Sequence, residues 1–158
     1  MIIIIDNVLD KDECNNLVNI YANNSHKAQP FNDCMTIGLN AIEHNQAYVK
    51  DKAMRIEQIA KRYYGNHVID WAEIFMRPPN TWQPYHYDIA SDKTSLTTVT
   101  YLTDTYEGGY TQFMDGTMVK PKIGRTILFD GKKYEHGVSP VLGGYRYTMP
   151  IWYKLAFF

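Results

Sequence analysis

Hydrophobic positions follow two different periods along the chain, and the change lies near residue 65. Before it, apolar residues recur every three or four positions, first after the acidic stretch Asp10 to Glu13 and again from about residue 41 to 64. Side chains at this spacing share one face of a helix. Asp10 and Glu13 resemble a capping box, and Gly65 is a typical helix end. We therefore predict a first strand within MIIIID, followed by two amphipathic helices.

The second part of the chain has short apolar or alternating runs that are separated by turn residues such as Gly108-Gly109 and Gly143-Gly144. About eight short strands at this spacing predict an antiparallel sandwich or barrel rather than βαβ units. Asp115-Gly116 is the clearest hairpin signal. We expect one α+β domain over residues 1–158, mainly β, with two helices packed on one sheet. The first strand and the helices would occupy about 1–65, and the β core about 66–158.

Composition and charge narrow the class of protein. The apolar fraction is 45% and the formal net charge is −1, so no bulk attraction to nucleic acid or anionic lipid is expected. The chain lacks an apolar run near the ~20 residues that cross a bilayer, so we expect no membrane partner. Cys14 and Cys34 are the only cysteines. Two cysteines make no disulfide framework, and we expect reduced thiols and a cytoplasmic location. None of these features specifies an oligomeric state.

The stretch "PYHYDIASD" places His86 and Asp88 one residue apart. In an extended strand both side chains would point to the same face, about 7 Å apart along the chain. The pair alone is weak evidence for a metal site, because a surface histidine beside a turn aspartate is the simpler interpretation. A third ligand is needed before the pair can be interpreted as a metal site.

His136 is the best placed third ligand, because it begins the apolar run "HGVSPV" after a turn. His26, His44 and His67 are expected to be solvated. Two histidines and one carboxylate form the facial triad of non-haem Fe(II) oxygenases, which leaves three positions open for cosubstrate and oxygen. Structural zinc prefers four His or Cys ligands, and calcium prefers several carboxylates. Iron therefore fits these residues better.

A basic residue follows ten positions after His136. By period two, one face of its strand carries Arg146, Thr148, Pro150 and Trp152. A buried arginine needs an anionic partner, and this strand offers no acidic residue. A bound dicarboxylate would supply that partner through a two-pronged contact. Spacing alone equally allows the opposite orientation, in which Arg146 points outward and Tyr145 and Tyr147 point inward.

Four sequence blocks stand in the order of a known family. They are "HYD", "TTVTYLTDTYEGGYTQF", "VKPKIGRTILFD" and "EHGVSPVLGGYRYTMPIWYK". Together with the residues between them, from about residue 73 to 154, they resemble the 2-oxoglutarate- and Fe(II)-dependent dioxygenases, in particular the prolyl 4-hydroxylase-like branch. The family pattern has His-x-Asp, then Tyr-Leu ahead of Gly-Gly-x-Thr-x-Phe, Pro-x-x-Gly, and His…Pro-Val…Gly-x-Arg/Lys. The resemblance implies a double-stranded β-helix, or jelly-roll, with the metal strands adjacent in one sheet and Arg146 in the facing sheet.

The same resemblance assigns roles to individual residues. It implies that His86, Asp88 and His136 bind Fe(II), and that Arg146 holds the distal carboxylate of 2-oxoglutarate. By the same resemblance, the cosubstrate site would include Thr97 and Thr148, and Trp152 would lie near the active site. Arg77 is a further candidate for the active site.

One departure concerns a tyrosine that the branch places before His-x-Asp to contact the cosubstrate. Met76 or Arg77 falls near that position here. Tyr85 and Tyr101 are the candidates to replace it. This part of the cosubstrate site therefore differs from the family pattern.

The function implied by the resemblance is hydroxylation of an unactivated C–H bond with Fe(II), 2-oxoglutarate and O2, supported by ascorbate. The substrate would be a proline-containing peptide or protein, hydroxylated at the 4-position. Aromatic candidates to stack on a proline ring are Trp82, Tyr87, Tyr134 and Trp152. Arg77, Lys132 and Lys133 are candidates to contact an acidic peptide, although loop charges are commonly just solvated.

Other functions remain open from the sequence. One is a dioxygenase that acts on another residue or a small molecule. Another is a non-catalytic jelly-roll that binds a small acid or a sugar. A structural module with incidental histidines is the third.

Overall fold

The computed structural model describes residues 1–89 and 91–156. The helices are α1 (Lys11–Asn23) and α2 (Gln46–Tyr64). The strands are β1 (Ile3–Ile5), β2 (Gln29–Phe31), β3 (Cys34–Gly38), β4 (His67–Arg77), β5 (Gln83–His86), β6 (Leu96–Tyr101), β7 (Glu107–Gly108), β8 (Thr111–Phe113), β9 (Met118–Val119), β10 (Thr126–Phe129), β11 (His136–Val138), β12 (Val141–Leu142) and β13 (Arg146–Leu155).

The strands form two facing sheets and a small ribbon. The larger sheet has the order β1-β10-β6-β13-β4-β3-β2, and the smaller has the order β5-β11-β8-β9. Strands β12 and β7 pair separately. Every recorded pair is antiparallel. This arrangement confirms the predicted α+β jelly-roll, with the metal-ligand strands β5 and β11 adjacent in one sheet and β13 in the other.

Both helices pack on the outer face of the seven-stranded sheet. Leu17 of α1 and Val49 and Ile56 of α2 are fully buried in the same core cluster as Ile74 of β4 and Ile151 of β13. Burying an aliphatic side chain of this size contributes roughly 1.5–3 kcal/mol. The core therefore lies between the helices and the sheet, and the other face of the sheet is left for a cavity.

Helix α2 begins later than its hydrophobic period predicts. The segment Leu39–Ala41 is a separate 3-10 turn, and α2 starts only at Gln46. His44 and Asn45, with φ of 41° and 52°, lie in the left-handed region, which interrupts a helix. The apolar period continues through this break because Leu39 and Ile42 are buried in the same core.

The N-terminus of α1 has the capping box that the sequence predicts. The Asp10 carboxylate accepts from the Glu13 backbone N–H at 2.7 Å, and the Asp10 N–H donates to Glu13 Oε1 at 3.0 Å. Arg55 Nη1 of α2 also donates to Glu13, at 2.7 Å, and Lys52 Nζ lies 3.2 Å from its other oxygen. Glu13 therefore joins the start of α1 to the side of α2.

We expect Glu13→Gln to lower the free energy of unfolding at neutral pH by about 1 kcal/mol, because it weakens a cap and two ion pairs. The hydrogen bond from Arg55 lowers the pKa of Glu13 from 4.5 to about 2. The stabilisation is therefore present above the unfolded value and is lost as the pH falls from about 4.5 towards 2. Urea unfolding at several pH values should show that the free energy of unfolding falls less steeply with acidification in the variant than in the wild type. The control Glu107→Gln, an exposed change, should keep the pH dependence of the wild type. The same pH dependence of the free energy of unfolding in all three proteins would contradict the role of Glu13.

The hairpin predicted at Asp115-Gly116 joins β8 to β9. Gly116 has φ of 95°, which favours glycine. The Asp115 carboxylate accepts from the Thr117 N–H at 2.9 Å. Local turn chemistry was therefore enough to locate this connection.

The orientation of β13 is resolved in favour of an inward arginine. Arg146 is 5% exposed, whereas Tyr145 is 53% exposed. Arg146 pairs directly with Arg77 of β4, and Thr148 with Phe75. Directly opposite residues of an antiparallel pair point to the same face, so these side chains form successive rows on the face away from the helices.

Both cysteines are free and buried. Within residues 1–89 and 91–156, neither helix has the length and hydropathy of a membrane span.

Candidate active site

Two histidines and an aspartate converge at one end of the space between the sheets. One ligand atom each from His86, Asp88 and His136 lies within 4.8 Å of the others. His86 of β5 and His136 of β11 are direct cross-strand partners. Strand β5 ends at His86, and Asp88 lies in the segment that follows. The Ile89 N–H donates to the Tyr87 carbonyl at 3.1 Å, so the chain turns at Asp88 directly after the strand.

The backbone fixes the orientation of both imidazoles. Nδ1 of His86 is 2.9 Å from the Pro84 carbonyl oxygen, and Nδ1 of His136 is 2.8 Å from the Tyr134 carbonyl oxygen. A carbonyl oxygen only accepts, so Nδ1 is the donor in each ring. In the neutral ring, Nε2 then keeps its lone pair, and the two Nε2 atoms lie 3.6 and 3.3 Å from Asp88 Oδ1. Two such nitrogens and one carboxylate are a fitting donor set for Fe(II).

Asp88 is held in place from two sides. Thr97 Oγ1 of β6 donates to Asp88 Oδ2 at 2.7 Å, and the Asp88 N–H donates to the Gly131 carbonyl at 2.8 Å. Burial alone would raise the pKa of Asp88, but the adjacent His136 and His86 rings and the hydrogen bond from Thr97 hold this pKa well below its usual range. The carboxylate is therefore charged at neutral pH. Thr97, predicted as a cosubstrate contact, lies in the cavity wall, but its hydroxyl donates a hydrogen bond to Asp88.

Gly131 is a part of the site that the sequence showed only as a turn residue. A Cβ atom built on Gly131 would lie 2.3 Å from Asp88 Oδ2 and 2.6 Å from Thr97 Oγ1. Both distances are far below van der Waals contact. The missing side chain at this position therefore leaves the room in which Asp88 and Thr97 meet.

We expect Gly131→Ala to fold but to bind divalent metal about 10- to 100-fold more weakly, because the methyl group displaces the carboxylate ligand and its hydrogen-bond partner. Calorimetric titration with Mn(II) measures this affinity, and thermal unfolding checks the fold. Lys133→Ala, an exposed change in the same turn, serves as the control and should match the wild type. Wild-type metal affinity in Gly131→Ala would show that Asp88 is not positioned by this close approach.

A cavity of about 820 Å³ opens from the three-residue cluster across the concave face of the larger sheet. Its walls come from both sheets and from the segment after β5. Lining residues include Phe31, Phe75, Tyr87, Val99, Thr111, Thr148 and Trp152. This volume is in the usual range for a small-molecule site.

Arg146 forms the floor of the cavity. Its Nε donates to the Gly109 carbonyl at 2.9 Å, and its Nη2 lies 3.3 Å from Thr111 Oγ1. The guanidinium carbon lies 5.3 Å from the centre of the Tyr101 ring. Among the described residues, no carboxylate lies within ion-pair distance of Arg146. A buried guanidinium without an acidic partner fits a bound carboxylate.

Arg77 is not the surface residue that the sequence suggested. It is 2% exposed, and its Nη1 donates to the carbonyl oxygens of Trp82 and Asn32 at 3.1 and 3.3 Å. Burial lowers the pKa of Arg77, and the facing charge of Arg146 adds to this effect. Arg77 therefore does not contact an acidic peptide at the mouth of the cavity. Its charge adds to that of Arg146 at the floor.

The structure divides the predicted aromatic residues into two groups. Tyr87 and Trp152 line the cavity. The other four do not line it. Tyr101 is fully buried beneath Arg146, with its hydroxyl 2.5 Å from Thr111 Oγ1, and Tyr134 packs on Phe113 and accepts a hydrogen bond from the N-terminal amine. The Tyr85 hydroxyl points outward and lies 3.4 Å from Gln112 Oε1, and Trp82 is 57% exposed. Tyr85 and Tyr101 are thus not direct cosubstrate contacts, although Tyr101 supports the guanidinium. Trp82 and Tyr134 are not substrate contacts in this cavity.

One prediction about the other histidines was wrong. His67, expected to be solvated, is buried at the start of β4, with Nδ1 3.4 Å from the Gly65 carbonyl. His26 and His44 are exposed as expected. His67 was misjudged because a strand start next to Gly65 gives no sign of burial in the sequence.

Comparison with known proteins points to a single family. The sequence of residues 75–154 matches the family profile of the 2OG-Fe(II) oxygenase superfamily. A search of curated protein sequences found no significant match.

Several solved structures are similar along nearly the whole chain. The viral collagen prolyl hydroxylase from Paramecium Bursaria Chlorella virus-1, in complex with 2OG, is 22% identical with a TM-score of 0.73, covering 99% of this chain and 96% of that one. A Pseudomonas putida prolyl-4-hydroxylase is 17% identical with a TM-score of 0.77, covering 99% and 93%. A Trichoplax adhaerens prolyl hydroxylase, in complex with a hypoxia inducible factor peptide fragment, is 18% identical with a TM-score of 0.82, covering 97% and 83%. At these identities the similarity shows a shared fold.

Proposed function

Because the chain belongs to the 2OG-Fe(II) oxygenase superfamily, whose members use Fe(II), 2-oxoglutarate and O2, we propose that it hydroxylates the 4-position of a prolyl residue in a peptide. The observation that carries the proposal is a pair of sites in one cavity. A His-Asp-His cluster lies in its wall, and the buried guanidinium of Arg146 lies at its floor without an acidic partner.

His86, Asp88 and His136 would hold the iron, and Arg146 would hold the distal carboxylate of 2-oxoglutarate. With these groups bound, the metal and cosubstrate supply the oxidising power: O2 gives one oxygen atom to the substrate C–H bond and one to the succinate that forms with CO2. Ascorbate would keep the iron reduced.

The chain itself contributes charge, orientation and shielding. The two Nδ1–H···O=C hydrogen bonds orient both imidazoles before metal arrives, which reduces the ordering needed on binding. Gly109 and Thr111 hold the Arg146 fork, so the anionic tail of the cosubstrate meets preformed donors. Thr148, in the wall next to Arg146, adds a hydroxyl on the same face. No residue needs to act as a general base.

A peptidyl proline is supported by the shape and lining of the open part of the cavity and by the activities named for the similar structures. Trp71, Tyr87 and Trp152 line that part. Aromatic side chains of this kind pack on apolar rings and keep their polar edges in water. The similar viral, bacterial and Trichoplax proteins are prolyl hydroxylases.

We test the proposal with pairs of peptides that are identical except for proline or alanine at one position. The protein is incubated with Fe(II), 2-oxoglutarate, ascorbate and O2, and the peptides are analysed by mass spectrometry. We expect a gain of one oxygen only in the proline members, with 4-hydroxyproline on amino-acid analysis and matching succinate. Oxygen gained by another residue or a small molecule would contradict the prolyl assignment and leave the oxygenase. No succinate with any of these substrates would favour a non-catalytic binding protein.

We also propose that the protein works in a reducing compartment, the cytoplasm. Both thiols are unpaired. Burial raises the pKa of the Cys14 thiol to about 12, so it stays protonated and unreactive.

A further inference from the structure

We propose that Glu73 recognises a positively charged group of the substrate, the side chain of a lysine or arginine that flanks the hydroxylated residue of a peptide. This inference rests on the proposed function, since it concerns the same cavity. A basic peptide takes the place of the acidic peptide that the sequence suggested, because Arg77, Lys132 and Lys133 do not line the cavity.

Glu73 lies in the part of the cavity that the cosubstrate does not reach. It is on β4, on the same face as Phe75 and Arg77, and pairs with Gly38 of β3. Arg77 faces Arg146 at the floor, and Glu73 lies four positions before Arg77 along β4, about 14 Å away. A five-carbon diacid anchored on Arg146 is shorter than this. The Glu73 carboxylate is therefore free to meet the substrate.

The charges of the cavity are separated along its length. Arg146 is the only lysine or arginine among the lining residues, and it lies at the floor. The lining acids are Asp70, Glu73 and Asp88. Asp88 belongs to the metal cluster, and Lys154 Nζ lies 3.7 Å from Asp70 Oδ1. The substrate end of the cavity thus has a net negative charge.

Glu73 is the lining acid that lacks an ion-pair partner. Among the described residues, no lysine or arginine nitrogen lies within ion-pair distance of its carboxylate. It is half-buried, and burial raises the pKa of Glu73. The Trp71 and Thr36 side chains only partly offset this cost of burial, and a cation beside the carboxylate would restore the lost stabilisation. An anionic substrate at this point would be repelled.

The aromatic wall around Glu73 also suits a cation. Trp71 and Phe75 are its neighbours on the same face of β4, and the Phe75 ring lies 6.1 Å from the Trp152 ring. A Cβ atom on Gly38 would lie 2.9 Å from Trp71 Cζ2, so the indole lies directly over the backbone of β3. Aromatic faces held in this way attract ammonium and guanidinium groups.

The test measures peptide binding without turnover. Three proline peptides that differ only in one flanking residue, Lys, Gln or Glu, are titrated anaerobically into the protein with Mn(II) and 2-oxoglutarate. We expect the Lys peptide to bind about tenfold more tightly than the Gln peptide, and the Glu peptide to bind more weakly still. Glu73→Gln should remove this order, and Glu73→Lys should invert it. Glu107→Gln, an exposed change on β7, should keep it.

The outcomes separate this inference from the proposed function. Equal affinity for the three peptides in the wild type, or an unchanged order in Glu73→Gln, would overturn the role of Glu73 even if proline is hydroxylated. The affinities of the three peptides could follow the expected order and depend on Glu73, while no peptide gains oxygen when Fe(II) and O2 are added. That result would support the role of Glu73 and overturn the prolyl assignment. The wild-type measurement stands without the variants, so poor folding of a variant does not prevent the test.

Discussion

Replacing His136 with alanine should abolish metal binding and turnover together. His136 would supply one of three protein ligands and is fixed by its hydrogen bond to the Tyr134 carbonyl. Two ligands cannot hold a labile divalent ion in competition with water, so we expect a loss in metal affinity of more than about 100-fold. Calorimetry with Mn(II) and succinate formation with Fe(II) measure the two effects. Asp88→Ala should behave in the same way.

The matched control for this prediction is His26→Ala, since His26 is exposed and far from the cluster along the chain. It should bind metal and turn over like the wild type. Full metal stoichiometry at wild-type affinity in His136→Ala would remove this residue from the metal site. Thermal unfolding without metal is needed beside it, because His136 also packs on Phe129 with ring centres 4.7 Å apart.

Replacing Arg146 with alanine should separate cosubstrate binding from metal binding. Mn(II) affinity should be retained, because Arg146 lies at the floor of the cavity and touches no metal ligand directly in the described contacts. Affinity for 2-oxoglutarate should fall by about 100-fold, which corresponds to about 3 kcal/mol for a lost two-pronged charged contact. Calorimetric titration of the Mn(II)-loaded protein with 2-oxoglutarate measures this loss.

Arg146→Lys distinguishes the planar fork from the charge alone. It should fall between the wild type and alanine, because lysine keeps the charge and loses the second hydrogen bond. Arg62→Ala, an exposed change on α2, is the control for a general charge effect. Unchanged 2-oxoglutarate affinity in Arg146→Ala would show that another group holds the distal carboxylate.

Features set by neighbouring residues could be predicted from the sequence. The capping box of α1 and the turn at Asp115-Gly116 depend on side chains a few positions apart, and both are present. The three metal-cluster residues could also be named, because their chemistry is distinctive and their order matches a family. The start of α2 was missed because the apolar period does not reveal the left-handed residues before Gln46.

Features that depend on strand register could not be predicted in this way. Arg77 is buried because it faces Arg146 across β4 and β13, which lie about seventy residues apart in the chain. Gly131 meets Asp88 and Thr97 only when three separate segments come together. Tyr85 points outward, Tyr101 lies under the floor and Tyr134 packs on Phe113, and the residues next to them in the sequence do not reveal these differences.

The facing guanidiniums of Arg146 and Arg77 have a consequence for the medium in which the protein works. Two like charges at directly paired strand positions, with no carboxylate of the described residues within ion-pair distance of either, attract small anions whether or not these can take part in the reaction. Phosphate, sulfate and chloride should therefore compete with 2-oxoglutarate, and its apparent affinity should depend on the salt used. Succinate keeps the distal carboxylate of the molecule from which it is made, so it competes for the same place. The rate of turnover would then follow the ratio of these two acids in the cell rather than the concentration of either one.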